Sequence, residues 1–301
     1  MTAATGHTSP FDGFRVEPKA PLGRHTRFRI GGPADYLAQP QSPEEMIDLL
    51  RVAQSAGIPI TVLGGGTNVL ISDEGVLGLV ILVTGLKGAD VSDSTGMLRA
   101  RAGQSLASIC GLAMDKGLTG LEWAAGIPGT LGGAVMMNAG SFGSDMAAII
   151  HKIDVLDLKS LTVTPIAGKN LAFSYRCLDL EHAVVLGAHL NLTATDPDVV
   201  QKTHAANLKV KKDTQPVSQA SAGCFFKNPS PEKPAGWLIE QAGLKGYTHK
   251  GARISERHAN FIVNQGQATC RDILDLAHLV TTRVKNAFNI TLEKEVKHIG
   301  S

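Results

Sequence analysis

The spacing of apolar and polar positions predicts a chain of mixed helices and strands. Ser42, Pro43 and Glu45 provide a cap residue, a first-turn proline and a capping-box glutamate, and an apolar stripe follows them until Gly57. The same helical periodicity predicts four further helices. They cover 105–116, a segment from Asp196 or Asp198 to about Lys212, 236–242 and the long amphipathic stretch 270–288.

Short apolar runs bounded by glycine, proline or polar residues predict the strands. These runs lie at 26–30, 59–63, within 77–102, and at 153–158, 183–192 and 259–263. Helices and strands do not alternate in a regular βαβ series, so the pattern indicates an α+β fold. Residues 1–20 are interpreted as a loose lead-in, and no internal repeat is present.

Composition narrows the class of protein. A chain of 301 residues is expected to form two or three domains, and 43% hydrophobic with 19% charged residues is typical of a globular protein. A net charge of +2 is too small for a nucleic-acid footprint. The only dense basic run, Lys209 to Lys212, is interpreted as a solvated helix end.

Targeting and metal signals are weak. The longest apolar stretch, Val76 to Leu86, is broken by glycines and is far shorter than the roughly 18 residues of a membrane span. Met1 to Pro10 is polar and is not a signal peptide. The four cysteines have no CxxC spacing and the ten histidines form no metal motif, so we expect free thiols, a cytoplasmic location and no metal.

Glycine is the unusual residue, with 33 of 301 positions against an average of about 7%. The run Gly64-Gly65-Gly66-Thr67-Asn68 follows a predicted strand and exposes backbone N–H groups to which an anion could bind. It fails the dinucleotide fingerprint because the apolar run Val69-Leu70-Ile71 follows it where a helix is needed, and the chain has no P-loop motif. A glycine hairpin turn remains an alternative.

A second glycine-rich stretch makes a ligand the better interpretation. Residues 126–134 read Gly-Ile-Pro-Gly-Thr-Leu-Gly-Gly-Ala, and 136–143 add Asn138, Gly140 and Gly143. This stretch is too polar and too rich in glycine for a core helix, so we expect it to contact a long anionic ligand that lies across both glycine runs.

The motifs, taken in order, resemble the UDP-N-acetylenolpyruvoylglucosamine reductase family. The resemblance runs from about residue 20 to 300. It rests on Thr26-x-Phe28-Arg29-Ile30-Gly31-Gly32, on 63–70, on 120–134, on Tyr175-Arg176, on 221–229, on 242–246, on 258–264 and on Glu295-Val296-Lys297-x-Ile299-Gly300. The short span between Arg176 and Cys224 resembles the branch with the short substrate-covering region, so no lid tyrosine is carried over.

The resemblance implies a two-subdomain FAD-binding module of the vanillyl-alcohol-oxidase (PCMH) type plus a C-terminal α/β substrate-binding domain. The expected division is a lead-in at 1–20, subdomain 1 at 21–82, subdomain 2 at 83–200 joined by 290–301, and a substrate domain at 201–289. It also implies non-covalent FAD, NADPH as co-substrate, and reduction of a UDP-sugar enolpyruvyl ether in peptidoglycan precursor synthesis. We expect a monomer that binds neither nucleic acid nor membrane.

The resemblance also assigns residues. FAD is expected on Gly64, Gly65, Gly66, Thr67, Asn68, Val69, Gly126, Pro128, Gly129, Thr130, Gly132, Gly133 and Ala134. Tyr175, Lys227 and Asn228 are expected to contact the substrate. His258 is interpreted as structural, and Trp123 and Trp237 as packing residues.

Three residues are expected to be catalytic. Arg176 and Glu295 would polarise the enolpyruvyl group while a hydride reaches C3. Cys224 stands where the family most often has serine, and it would give the proton to C2. A thiol has an ordinary pKa of about 8.5, so we expect a competent donor whose thiolate forms easily and is open to oxidation.

Each assignment has a plainer alternative. Arg176 could be a surface residue at a strand end, Glu295 a surface glutamate, and Cys224 a small buried apolar residue. Two other functions also remain open. A flavin oxidase that shares the FAD module would use oxygen and a small alcohol, and a non-catalytic flavin or nucleotide sensor would tolerate loss of Arg176 and Glu295.

Overall fold

The structure is a computed structural model that describes residues 10–92 and 96–300. Within these residues lie six α-helices, and the five predicted from sequence are all confirmed. The helices are Pro43–Ser55 (α1), Leu106–Asp115 (α2), Leu131–Met136 (α3), Pro197–Thr214 (α4), Ala235–Gln241 (α5) and Cys270–Phe288 (α6).

The first sheet is mixed and carries α1 on one face. Its strand order is Val16–Pro21, Pro33–Ala38, Val76–Leu82 and Ile60–Leu63, with the first pair antiparallel and the other pairs parallel. Ser42 caps α1 by accepting from the Glu45 N–H, as predicted. The lead-in prediction is wrong for residues 16–20, because they form the edge strand of this sheet; residues 1–9 lie outside the described part.

The second sheet is antiparallel throughout. Its five strands are ordered Val163–Ala167, Ile150–Asp157, Ala183–Leu190, Leu98–Arg101 and Ala89–Val91. One apolar cluster joins Leu98 and Ile153 of this sheet to Ile109 of α2 and Val135 of α3. A second cluster joins the two sheets and α1, so the N-terminal two thirds pack as neighbours.

The C-terminal part has its own small sheet and core. Strands Thr248–His249, Ala252–Ile254 and Ile262–Asn264 pack with α5 and α6 around one apolar cluster. Thr269 and Asp272 form a complete capping box at the start of α6. Phe28 and Leu70 from the N-terminal part enter this cluster, which attaches the C-terminal part to the rest.

Short elements complete the fold. Val69–Ile71 pairs in parallel with Lys297–Ile299, and antiparallel pairs form between 140–141 and 144–145, between 172–174 and 177–179, and between 118–119 and 193–194. In the described part of the chain, 3₁₀ helices lie at Leu22–His25, Val83–Gly85, Glu122–Ala124 and Gly168–Asn170. The predicted domain boundaries stay a prediction, and the tail strand pairs with residues assigned to subdomain 1.

Three local predictions are wrong. Residues 26–30 form a turn: the Thr26 hydroxyl donates to the Ile30 carbonyl, and Arg29 has a φ of 57°. In the predicted strand 259–263 only Ile262 and Val263 are extended, because the side chain of Asn260 bonds to a neighbouring loop. The run 209–212 is not solvated throughout, because Lys211 is 5% exposed.

Among the described helices, none has both the length and the apolar character needed to cross a bilayer.

Candidate active site

The two glycine runs lie directly against each other. A Cβ added to Gly65 would lie 3.1 Å from the Cα of Gly129, and one added to Gly64 would lie 2.8 Å from the Thr130 hydroxyl. From the other side, a Cβ on Gly129 would lie 2.7 Å from the Thr67 hydroxyl. Glycine is therefore required because two backbones approach closely, as well as for turning the chain. We call residues 64–68 and 126–130 together the glycine cradle.

The backbone N–H groups of the cradle are available to a ligand. Within the described residues, none of the N–H groups of Gly64, Gly65, Gly66 and Thr67 donates a hydrogen bond to the protein, and neither does that of Gly129. Backbone donors left without partners over several successive residues form a concave anion site. These residues therefore fit the diphosphate of FAD, although their assignment remains a prediction.

One prediction about the second glycine run is wrong. Residues 131–136 form the short helix α3, capped by the Thr130 hydroxyl, and Leu131 and Val135 are fully buried. The polar and glycine-rich composition argues against a core helix, but the glycines permit close packing. A Cβ on Gly132 would lie 2.9 Å from the Cβ of Ala102, so this glycine is needed for packing. Gly133 and Ala134 lie in the same helix.

A groove of about 300 Å³ runs beside the cradle. Its lining includes Gly64, Gly65 and Thr67 together with Arg24 and His25. The sequence pattern does not single out Arg24 and His25, which lie in a 3₁₀ helix just before a turn. Burial lowers the pKa of His25, and the neighbouring guanidinium of Arg24 lowers it further.

Arg176 lies at the tip of a tight hairpin. Strands 172–174 and 177–179 are joined by the two-residue turn Tyr175-Arg176, in which Arg176 has a φ of 59°. Arginine is an unusual residue in this left-handed conformation, which glycine adopts at less cost. A non-glycine residue retained in a strained turn is typical of functional positions. The turn places the guanidinium where its Nη2 donates to the Gly140 carbonyl at 2.9 Å.

Glu295 meets Arg176 in the interior of the site. The Arg176 Nε and Glu295 Oε1 atoms are 3.5 Å apart, and the two side chains are 23% and 16% exposed. The Glu295 carbonyl accepts from the side chain of Asn68, which ties this residue to the glycine cradle. Burial raises the pKa of Glu295, although Arg176 opposes the rise. A carboxyl group held in this way tends to keep its proton and can donate a hydrogen bond.

Cys224 lies beside this pair. Burial raises the pKa of its thiol to about 12, the Glu295 carboxylate adds to the rise, and the cation of Arg176 opposes it. The expectation of a thiolate that forms easily is therefore wrong. The ordinary pKa of a thiol does not include the effects of burial and of the Glu295 carboxylate, because both depend on the tertiary fold. The group is a protonated thiol, which is the form that a proton donor requires.

Asn260 holds the loop that carries Cys224. Its carbonyl and its side-chain oxygen accept from the N–H groups of Phe225 and Phe226, and its side-chain nitrogen donates to the Phe226 carbonyl. Sequence reasoning missed this role, for which the only signal was one polar residue in an apolar run. Burial lowers the pKa of His258, whose Nδ1 accepts from the Asn260 N–H.

The predicted substrate residues lie around this centre with different partners. Tyr175 is half-exposed, and the Arg176 guanidinium carbon lies 5.1 Å from the centre of its ring. Lys227 is already paired, because its Nζ lies 2.5 Å from a Glu293 carboxylate oxygen. The side-chain oxygen of Asn228 accepts from the Ala235 N–H at the start of α5. Tyr175 and Asn228 are therefore exposed, whereas Lys227 is half-buried.

Within residues 10–92 and 96–300, no group of three or more His, Cys, Asp or Glu side chains is arranged to hold a metal ion.

Comparison with known proteins gives family matches along most of the chain. Residues 34–164 match the model described as FAD binding domain, and residues 215–299 match the one described as UDP-N-acetylenolpyruvoylglucosamine reductase, C-terminal domain. The glycine cradle falls within the first match, and Cys224 and Glu295 fall within the second. The expected FAD-binding module followed by a C-terminal domain is confirmed.

Full-length relatives agree with these matches. The chain is 41% identical over 282 residues to the UDP-N-acetylenolpyruvoylglucosamine reductase of Caldanaerobacter subterraneus subsp. tengcongensis, covering 93% of this chain and 92% of the relative. It is 43% identical over 292 residues to the reductase of the same name from Synechococcus sp. (strain JA-3-3Ab), covering 95% and 92%.

A solved structure is similar throughout. The crystal structure of UDP-N-acetylenolpyruvylglucosamine reductase from Thermus caldophilus matches with a TM-score of 0.79 and 34% sequence identity, covering 95% of this chain and 98% of that chain.

Proposed function

The chain belongs to the UDP-N-acetylenolpyruvoylglucosamine reductase family, and on that basis we propose which of its residues carry out the reaction. It is an FAD-dependent oxidoreductase that uses NADPH to reduce UDP-N-acetylglucosamine enolpyruvate in peptidoglycan synthesis. FAD, when bound, supplies the chemistry of hydride transfer from NADPH to C3 of the enolpyruvyl group. The observation that carries the proposal is the partly buried contact between Arg176 and Glu295 beside Cys224.

The glycine cradle would hold the cofactor through its backbone. Its unpaired N–H groups can bind the diphosphate, and the absence of Cβ atoms lets the two runs approach each other closely. Because Asn68 bonds to the Glu295 carbonyl, a cofactor held on the cradle would be fixed relative to the catalytic side chains.

Arg176 would bind the enolpyruvyl carboxylate. Hydride arrival at C3 pushes negative charge toward C2 and the carboxylate, and a fixed guanidinium stabilises that charge. Its bond to the Gly140 carbonyl and its position in a tight turn hold the guanidinium in place before the substrate arrives. Such preorganisation avoids the cost of reorienting the group during the reaction.

Cys224 would give its proton to C2. Its raised pKa keeps the thiol protonated at neutral pH, so a proton is present when the substrate binds. The thiolate left after the transfer would be stabilised by Arg176, which already opposes the rise of the thiol pKa. Asn260 would act as a positioning residue by fixing the loop on which Cys224 sits.

Glu295 would assist as a protonated carboxyl. Its raised pKa favours the neutral acid, which can donate a hydrogen bond to the substrate carboxylate as charge develops there. An ionised Glu295 would instead repel that carboxylate. We therefore expect reoxidation of the reduced holoenzyme to be fastest at low pH and to decline as Glu295 ionises.

The finer assignments complete the proposal. Tyr175 would contact the substrate from the mouth of the site, and Lys227 and Asn228 would contact its polar groups once their present partners are displaced. We also propose that the protein is a monomer and that it lies in the cytoplasm, a location that the four free cysteines of the described residues support.

Half-reactions of two variants test the roles of Arg176 and Glu295. For Arg176→Ala and Glu295→Gln we expect anaerobic reoxidation by the enolpyruvyl nucleotide to slow about 10²- to 10³-fold, with reduction by NADPH kept within a few-fold. Glu181→Gln, at an exposed position, is the matched control. Equal slowing of both half-reactions, or of neither, would remove these residues from the second step.

A further inference from the structure

Lys211 is a buried cation close to the catalytic centre. It lies in the last turns of α4, where Lys209 and Lys212 are exposed but Lys211 is 5% exposed. Lysine is among the residues least often buried, unless it is paired with an acid. The burial of Lys211 near the end of a helix whose neighbouring lysines are exposed is therefore unusual and needs a physical explanation.

No acid in the described part of the chain pairs with Lys211. The structure gives its Nζ no hydrogen bond or ion pair there, and the centre of the Phe142 ring lies 5.5 Å from it. An aromatic ring offsets only a small part of the cost of taking a cation out of water. Glu122 bonds instead to the Thr119 hydroxyl and the Gly120 N–H.

Groups from several elements of the site lie around Lys211. Burial lowers its pKa to about 8, with Cys110 and Cys224 opposing the fall and the Arg176 guanidinium adding to it. The charge of Lys211 acts in turn on His204 of the same helix. Its side chain also touches the glycine cradle, because a Cβ on Gly126 would lie 3.4 Å from the Lys211 Cδ. The cation is therefore between the cradle and the centre.

We propose that Lys211 binds an anionic group of the sugar-nucleotide substrate, its carboxylate or its diphosphate, in the space that it shares with Arg176. The inference rests on the proposed function. Lys227, expected from sequence to contact the substrate, is already paired with Glu293, whereas no acid of the described residues pairs with Lys211 in its largely buried position. An anion between Lys211 and Arg176 would relieve both the repulsion of the two cations and the burial of an unpaired charge.

Proton uptake is the distinctive consequence. A lysine with a pKa of about 8 is about half deprotonated at pH 8, and an anion beside it raises that pKa. Binding should therefore take up about half a proton at pH 8 and little below pH 7. A lysine with only a structural role would not change its protonation when ligand binds.

Calorimetric titration of the FAD holoenzyme in buffers of different ionisation enthalpy measures this uptake. UDP-N-acetylmuramate carries both carboxylate and diphosphate, UDP-N-acetylglucosamine carries only the diphosphate, and NADP⁺ serves as the competing anion. Proton uptake with UDP-N-acetylmuramate alone would identify the carboxylate as the group that Lys211 binds. Uptake with both sugar nucleotides would identify the diphosphate. Uptake with NADP⁺ alone, or binding of both sugar nucleotides without uptake, overturns the proposal. Failure of both to bind would overturn the proposed function as well.

Two substitutions of Lys211 distinguish the effect of its positive charge from its uptake of a proton. Lys211→Met should lose the uptake and weaken sugar-nucleotide binding about tenfold or more. Lys211→Arg should keep the affinity within a few-fold but lose the uptake, because arginine does not titrate. Exposed Lys212→Met is the matched control and should keep both. Uptake that persists in Lys211→Arg would assign the proton to another group and overturn the proposal.

Discussion

The glycine cradle and the catalytic centre lie next to each other, but the cradle offers backbone groups and the centre offers side chains. The cradle is backbone, supplied by two short runs whose residues are adjacent in sequence. The centre is side chains, brought from three segments separated by 48 and 71 residues (224 − 176 and 295 − 224). Backbone donors serve a cofactor whose charge does not change during binding, whereas a proton transfer needs groups whose pKa values the fold can shift.

The difference is visible in the electrostatics. At the centre, burial raises the pKa values of Cys224 and Glu295 and lowers that of Lys211. The runs 64–68 and 126–130 contain no titratable side chain at all. Changes in the centre should therefore alter chemistry and pH dependence, while changes in the cradle should alter how much cofactor the protein retains.

The largest expected effect separates the two regions at Cys224. Cys224→Ala should slow flavin reoxidation by the enolpyruvyl nucleotide about 10²- to 10⁴-fold, because the proton donor is lost, and should spare both FAD content and reduction by NADPH. Stopped-flow absorbance of the flavin under anaerobic conditions measures both steps. Cys224→Ser is the matched variant and should keep substantial turnover. An alanine variant as fast as the native protein in both steps would exclude the thiol as donor.

The reactivity of the same thiol sharpens the electrostatic contrast. With a pKa of about 12 rather than about 8.5, Cys224 has a thiolate fraction on the order of 10³-fold lower at neutral pH. Alkylation by iodoacetamide, followed by peptide mass spectrometry of the holoenzyme, should be correspondingly slow and should still be rising with pH at pH 10. A rate that levels off near pH 8 would show that the thiol is not shifted. In Glu295→Gln the rate at pH 10 should increase, because the ionised carboxylate of Glu295 is one cause of the shift.

The smallest expected effect is in the cradle. Gly65→Ala places a Cβ 3.1 Å from the Gly129 Cα, and overpacking of this size should weaken FAD binding about 5- to 100-fold. The ratio of flavin to protein absorbance after gel filtration measures it. Gly111→Ala is the control, since an added Cβ meets no atom within 4 Å. Reconstituted Gly65→Ala should have normal half-reactions; slow reoxidation with full FAD would mean that the two regions are not separable.

The sequence predicted those features that depend on residues close together in the chain. The helix predicted at 270–288 is confirmed as α6, because its amphipathic pattern lies within one continuous segment. The glycine runs could be recognised for the same reason. The strand predicted at 26–30 failed because the Thr26 hydroxyl bonds to the backbone four residues later, a contact that an apolar–polar pattern does not encode.

What the sequence left out depends on the tertiary fold. Arg176 and Glu295 are 119 residues apart (295 − 176), and only the family resemblance paired them. The pKa of Cys224 depends on its burial and on the Glu295 carboxylate, so the ordinary pKa of a thiol does not apply to it. Lys211 belongs to a basic run that looks solvated, and its burial results from how α4 packs against the site.

The anaerobic two-step flavin titration tests most directly whether cradle and centre work as one enzyme. The purified protein should be yellow, should bleach with NADPH, and should recover its colour when the enolpyruvyl nucleotide is added without oxygen. Recovery only after air is admitted, with the enolpyruvyl nucleotide having no effect, would contradict the account.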